Sequence, residues 1–340
     1  MGGLFEKDLI FDNTDIQFPK EFFSNPEKKE IERKFAGEKE KYPYTESSGI
    51  LDFFGRYNFT IDETDPYEQE IGVDPEMLGK IFENLLEDNK DKGAFYTPKE
   101  IVQYMCRESL IAYLVTDSHI EEERIRQFVL THKDDFTETE KKMLSQKLQS
   151  VKICDPAVGS GAFPMGMLNE LYACHHVIEQ EMDPVEIKKQ IVRDNIYGVD
   201  IEKGAVDIAR LRFWLAIIVD ETEPLPLPNL DYKIMQGNSL LESFEGIDLS
   251  NLLKRDGELF DDDEIIKHLI CAIDGFYMPN DQIAKAKIRN QISEKVIQLL
   301  KERQLAPATI KKLEAMDLHA NSEFFLWHTW FNDVFNRPFK

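Results

Sequence analysis

Apolar positions along the chain recur with two periods, one of a strand and one of a helix. Val151-Lys152-Ile153-Cys154 reads as a short strand. The turn Asp155-Pro156-Ala157-Val158-Gly159-Ser160-Gly161-Ala162-Phe163 follows it and opens a helix through Met165, Leu168 and Leu171. Ile196-Tyr197-Gly198-Val199-Asp200-Ile201 predicts a second strand that ends in an acid, and a buried helix over Ala205 to Val219 comes next. Tyr232 to Gln236 predicts a third, shorter strand, which runs into Gly237-Asn238-Ser239-Leu240. Strand, glycine turn, helix, strand, helix, strand implies βαβ units and a parallel sheet.

Upstream, Asp74-Pro75 followed by Met77, Leu78, Ile81, Phe82, Leu85 and Leu86 predicts a helix with an N-cap acid and proline at its first position. Phe95-Tyr96-Thr97-Pro98-Lys99-Glu100 predicts another, with Thr97 as cap, Pro98 in the first turn and Glu100 as a capping-box acid. That helix continues through Ile101, Met105 and Leu110, and a charged helical excursion over Glu121 to Ser150 precedes the first strand. Beyond Ser243 the pattern changes: Asp256 to Glu264 is acidic, and residues 268–335 carry helical patterns.

Composition narrows the function classes. Of the 340 residues, 42% are hydrophobic and 31% charged, as in a soluble globular protein, and no apolar run is long enough to span a bilayer. The first residues, Met-Gly-Gly-Leu-Phe-Glu-Lys-Asp, lack the basic and then apolar profile of a signal peptide. Four scattered cysteines with no CxxC pair argue against a disulfide framework or zinc knuckle, and Cys174-His175-His176 has no second ligand pair to complete a metal site. A cytoplasmic protein without a bound metal is expected. The net charge of −23 opposes general binding to phosphate backbones. Cations concentrate only over Asp281 to Lys312, where they do not gather on one helical face, so a solvated helical insertion or a DNA-backbone contact are both open.

The glycine turn sits where open α/β sheets bind nucleotides, because glycine lets the backbone come close and the helix N-terminus offers free N–H groups. Asp200 stands where a nucleotide fold places a carboxylate on ribose hydroxyls, or else it caps the following helix. It follows the turn by about 40 residues, roughly twice the usual spacing, so His175 to Ile191 reads as an insertion. Asn238 offers an amide for an adenine edge, or serves simply as a turn residue.

Four of these segments together resemble a known family. Phe95-Tyr96-Thr97-Pro98, Asp155 to Phe163, Tyr197-Gly-Val-Asp200-Ile201 and Gln236-Gly-Asn-Ser-Leu240 resemble motifs X, I, II and III of amino-group DNA methyltransferases, in the order of the gamma class. The resemblance is nearest to the fused restriction–modification proteins of type IIG and their adenine-N6-specific relatives, and Leu78 to Leu86 is similar to the helix that precedes motif X there. It covers about residues 49–245 well and 323–340 loosely. It implies an α/β fold: a partial Rossmann-like sheet of strands ordered 3-2-1 that binds S-adenosyl-L-methionine (SAM). Residues 1–92 would form a helical N-terminal region, 93–245 the SAM-binding core, and 246–340 a mostly helical insertion or tail.

Carried over residue by residue, the resemblance implies that Tyr96 and Thr97 contact the methionine end of SAM. Asp155, Ala157, Gly159 and Gly161 would line the methionine and sulfonium region, with Phe163 as packing. Asp200 would take the ribose hydroxyls, Ile201 would lie against the adenine ring, and Asn238 with Ser239 would read the adenine edge. Many relatives carry aspartate at the Asn238 position, so its hydrogen bond is expected to be weaker or differently aimed here.

The family activates the adenine amine with an Asn/Asp-Pro-Pro-Tyr/Phe loop after its fourth strand and stacks the aromatic on a flipped-out base. The chain contains no such tetrapeptide, and Asn336-Arg337-Pro338-Phe339 lacks the second proline and follows an aromatic, helix-like stretch. The chain is therefore expected to stop short of the catalytic motif, to supply no catalytic residue, to bind SAM weakly and not to methylate DNA alone; DNA would be a partner of a longer protein. The alternative from another class is a non-catalytic SAM-binding or assembly module of a restriction–modification complex. A three-stranded 3-2-1 sheet leaves one edge of Val151 to Cys154 unpaired, which predicts self-association or cover by the helical tail.

Overall fold

The computed structural model describes residues 97–179, 182–220, 227–250, 264–276, 282–302 and 305–335. The expected helix over 74–86, Tyr96, the acidic run 256–263 and the look-alike at 336–339 lie outside the described residues.

Three helices lead in: α1 (Lys99–Val115), α2 (Glu122–Thr131) and α3 (Glu138–Ser150). A central unit follows in the order β1 (Ile153–Asp155), α4 (Ala162–Ile178), α5 (Pro184–Asp194), β2 (Ile196–Asp200), α6 (Lys203–Ile218) and β3 (Ile234–Gln236). The three strands are parallel and ordered β1-β2-β3, with Cys154 opposite Tyr197 and Val199 opposite Met235. The expected strand order is thus observed. The strands are shorter than their apolar runs because Leu230 to Lys233 closes a turn on the Leu230 carbonyl, and Val151 still bonds back to the end of α3.

The strand period of two divides the core. Ile153, Ile196 and Ile234 face a cluster built with α1 to α6, around Leu114, Phe128, Leu168, Ile191 and Phe213. Cys154, Tyr197, Val199 and Met235 face a second cluster built from the later elements, around Leu269, Val296, Phe325 and Phe331. The sheet therefore lies between two buried layers.

The doubled spacing between the glycine turn and Asp200 is taken up by helix rather than by a loose insertion. α4 runs on past His175 to Ile178, and α5 starts on a regular signal, Asp183 accepting the Val185 N–H at 2.8 Å with Pro184 in the first turn. Buried Asn195 then ties α3 to β2, its Nδ2 donating to the Val151 carbonyl at 2.7 Å.

α1 corrects one expectation. Its N-cap is Pro98, with an extended ψ of 142°, and no side chain caps it, so Thr97 is not the cap. The helix begins one residue later because the Pro98 carbonyl already accepts the Ile101 and Val102 N–H groups. A capping box does occur where the excursion restarts, between Thr137 and Glu140.

After β3 comes a small antiparallel hairpin, β4 (Ser243–Phe244) and β5 (Ile247–Asp248), which helical periodicity does not announce. Its turn takes φ of +51° at Glu245 and +80° at Gly246, so the expected division at 245 falls within it. α7 (Glu264–Gly275), α8 (Gln282–Glu302), α9 (Pro307–Glu314) and the four-residue α10 (Trp327–Trp330) and α11 (Asn332–Phe335) complete the described chain. α8 is not a solvated insertion: Ile292, Val296, Leu299 and Leu300 are buried in the second cluster. Two of its cations are met by acids, Arg289 by Asp231 at 2.6 Å and Lys301 by Glu314 at 2.6 Å, while Lys312 on α9 pairs with Glu245. Among the described residues no helix is long and apolar enough to cross a membrane.

Candidate functional site at the carboxyl ends of the strands

The glycine turn is built onto the end of the neighbouring strand. The Val158 N–H donates to the Val199 carbonyl at 2.9 Å, and the Gly159 N–H donates to Asp200 Oδ2 at 2.8 Å. Gly198 makes room for this: a Cβ there would stand 2.8 Å from Val158 Cγ2. Gly159 and Gly161 take φ of +52° and +89°, the left-handed region that glycine enters without penalty. A Cβ on Gly161 would meet Ala209 of α6 at 3.1 Å, whereas one on Gly159 would point into open space. Gly161 is also the N-cap of α4, so the open side of the turn meets the positive end of a 17-residue helix.

Two carboxylates close the site. Asp155 Oδ1 accepts the Ala157 N–H at 3.0 Å, which bends the chain out of β1. Burial pushes the Asp155 carboxyl above its ordinary range; the Ala157 N–H opposes that shift and the neighbouring Asp200 adds to it. Asp200 Oδ1 accepts the Glu202 N–H at 2.9 Å, just before α6. Asp200 is not the cap of α6, whose N-cap is Glu202 with no side-chain capping bond; its carboxylate instead turns the chain toward that helix and holds the glycine turn.

The third loop lies beside them. The Gly237 N–H donates to the Asp200 carbonyl at 2.8 Å, and Gln236 Nε2 donates to the Ile201 carbonyl at 3.1 Å. Asn238 Oδ1 accepts the Leu240 N–H at 3.2 Å, and the Ser239 carbonyl accepts Trp327 Nε1–H at 3.0 Å. Ile201 stays 51% exposed although it is a large apolar side chain.

The structure therefore brings Asp155, Ala157, Gly159, Gly161, Asp200, Ile201, Asn238 and Ser239 to one end of the sheet. Thr97 lies just ahead of α1 and makes no capping bond; α1 itself packs closely on α4, where a Cβ on Gly166 would stand 2.6 Å from Val102 Cγ1. Sequence reasoning missed Gly198, Trp327 and Phe325. An isolated glycine inside a strand was the available signal for the first; nothing local marks the other two, which act across long separations.

A cavity of about 310 Å3 lies near the opposite end of the sheet, lined by Tyr197, Tyr232, Lys233, Phe276, Trp330 and Asp333 among others. Its charged groups answer one another: Tyr197 Oη donates to Asp333 and accepts from Lys233 at 2.7 Å. The strand ends, with open glycine and paired acids, are the better site. Among the described residues no cluster of His, Cys, Asp or Glu has the makings of a metal site.

Residues 131–250 match the profile of the MmeI DNA-methyltransferase domain, and residues 194–339 match that of the Eco57I restriction-modification methylase. A Methanocaldococcus jannaschii protein, provisionally named a type II restriction enzyme and methyltransferase, is 33% identical over 218 residues, which cover 56% of this chain and 18% of that protein. The chain thus spans less than a fifth of the relative's length. Over residues 131–339 the chain is similar to the DNA methyltransferase domains of restriction–modification proteins.

Proposed function

We propose that the chain is the SAM-binding portion of a gamma-class, site-specific DNA methyltransferase that acts on adenine N6 in a restriction–modification or phage-defence system. The observation that carries this reading is the meeting of Asp155 and Asp200 around an open Gly159 at the carboxyl ends of β1 and β2.

The residues present fit the cofactor. Two neighbouring half-buried acids favour a ligand whose reacting end carries an ammonium and a sulfonium, since a cation relieves their mutual repulsion. Each Asp200 oxygen already accepts one backbone N–H and keeps capacity for a second donor, as ribose hydroxyls require. Gly159 leaves free the volume that a side chain would fill, and exposed Ile201 offers a flat apolar contact for a base. Asn238 and Ser239 border the same space, and Tyr96 and Thr97 are assigned to its methionine end. Bound there, SAM would supply a methyl group for direct transfer to the amine of a flipped adenine.

The 340 residues contain no Asn/Asp-Pro-Pro-Tyr/Phe loop, and Arg289, Lys301 and Lys312 are engaged by acids. By themselves they would hold SAM without methylating DNA, and DNA would be bound through further protein. The second edge of β1, unpaired among the described residues, makes self-association part of the proposal, to be read by sedimentation.

Titration calorimetry tests the cofactor. A saturable SAM isotherm that Asp200→Asn weakens at least tenfold supports the reading, whereas no binding up to about 1 mM SAM overturns it. Radiolabelled methyl transfer to mixed-sequence DNA is expected to stay at background.

A further inference from the structure

The loop Asn238–Glu242 carries the side chains assigned to the adenine end of the cofactor, yet its own bonds are short turns: Leu240 to Asn238 Oδ1 and Leu241 to the Asn238 carbonyl, both at 3.2 Å. The Leu249 N–H holds its end, donating to the Glu242 carbonyl at 2.9 Å, and its other attachments come from a segment 84–88 residues later. The Phe325 N–H donates to the Leu241 carbonyl at 2.8 Å, and Trp327 Nε1–H donates to the Ser239 carbonyl at 3.0 Å. The His328 N–H donates to Glu242 Oε1 at 3.3 Å, and His328 Nδ1 lies 3.4 Å from the same carboxylate. Three successive stations of the loop are thus tied to one short stretch of chain.

That stretch is itself a block. Phe325, Trp327 and Phe331 meet edge to face with ring centroids 4.7–5.8 Å apart, and Phe331 meets Tyr197 of β2 in the same way at 5.0 Å. Gly237 lets the block lie against the loop backbone, since a Cβ there would stand 2.4 Å from Phe325 Cδ2. The block is fixed to the sheet, and the loop is fixed to the block.

We infer that the aromatic segment Phe324–Phe331 is a backing strap that sets the conformation of the Asn238–Glu242 loop, with Trp327 as a positioning residue for recognition of the cofactor's adenine through the Ser239 carbonyl. The inference rests on the SAM reading above. Trp327 acts on the backbone of Ser239, so its indole N–H matters more than its bulk.

Trp327→Phe in the 340-residue chain keeps an aromatic ring and removes that donor. The strap predicts an unchanged circular dichroism spectrum, amide exchange over residues 238–242 faster by roughly three- to tenfold without ligand, and SAM affinity lower by a similar factor, the scale of one net hydrogen bond. Loop exchange at the wild-type rate in a folded Trp327→Phe protein overturns it. Should wild type bind no SAM, the cofactor reading fails alone, and loop exchange still decides the strap. Gly237→Ala, which lifts Phe325 from the loop, supplies the same readout if Trp327→Phe does not fold; it too must accelerate exchange at 238–242 for the strap to stand.

Discussion

Asp200 Oδ2 accepts the Gly159 N–H at 2.8 Å, so the carboxylate that ends β2 holds in place the turn that follows β1. The two segments are 41 residues apart in sequence, and each is incomplete without the other. The Val158 N–H bond to the Val199 carbonyl and the Arg212 bond to the Ser160 carbonyl fix the turn on either side, and at Gly159, with φ of +52°, Asp200 completes the attachment. The carboxylate gives it a charge-assisted bond and still faces the proposed ligand.

Asp155 should be a residue whose charge serves binding and not stability. Its folded-state carboxyl is shifted upward by burial, so its contribution to stability is present in acid and is lost as pH rises through that shifted value. Asp155→Asn can still accept the Ala157 N–H through its amide oxygen. Its melting temperature at pH 7 should equal or exceed that of wild type, while SAM binding falls at least tenfold. Thermal shift with and without SAM checks both, and a marked drop in the ligand-free melting temperature would contradict the assignment.

The two glycines of the turn should separate by cost. Gly159→Ala pays only the left-handed backbone penalty, about 1 kcal/mol, because its Cβ enters open space. Gly161→Ala adds crowding against Ala209 and should cost roughly 2–3 kcal/mol. Urea unfolding ranks them. Gly159→Ala should nevertheless be the more damaging per unit of stability lost when SAM binding is measured.

Docking of the turn on β2 is testable by compensation. Gly198→Ala forces a methyl to 2.8 Å from Val158 Cγ2 and should destabilise by about 2 kcal/mol. Adding Val158→Ala removes the opposing methyls, and the double variant should recover on the order of 1 kcal/mol in a double-mutant cycle. Strict additivity would mean that the two positions do not meet.

Much of this was legible in the residues themselves. Val151 to Cys154, Ile196 to Ile201 and Tyr232 to Gln236 are apolar runs bounded by turn residues, and Pro98 marks a helix start within a residue. Glycines at 159 and 161 announce positive φ because few other residues accept it. What stayed hidden depends on partners far along the chain. Thr97 had the chemistry of a cap, but the ψ of Pro98 decides where α1 begins. The cations of α8 and α9 left a solvated insertion and a DNA contact both open, and the acids that pair Arg289, Lys301 and Lys312 come from Asp231, Glu314 and Glu245, which no local pattern announces. No local pattern links Trp327 to Ser239.

Asp231 offers a pH prediction of the opposite sign to Asp155. It is buried between Arg289 at 2.6 Å and Arg210 at 3.2 Å, and its carbonyl accepts His319 Nε2–H at 3.0 Å. Burial opposes its charge, but Arg210, His319 and Arg289 overcome it and hold the carboxyl at about 2. A depressed folded value gives stability that is full above about pH 4, the unfolded value, and is lost as pH falls toward 2. Asp231→Asn should therefore cost about 3 kcal/mol at pH 7, by leaving two guanidinium groups uncompensated, and should show a shallower loss between pH 4 and 2. Urea titrations at the three pH values give both quantities.

The aromatic segment has a consequence for the route of the chain. At Trp327 it touches the loop beyond the carboxyl end of β3; at Asp333 it is bonded to Lys152, the residue just before β1. Within six positions the backbone has crossed from the finish of the strands to their start, where Asp333 meets both Lys152 before β1 and Tyr197 of β2. The segment is thus a return path, carrying the polypeptide from the carboxyl ends of the strands back to their amino ends.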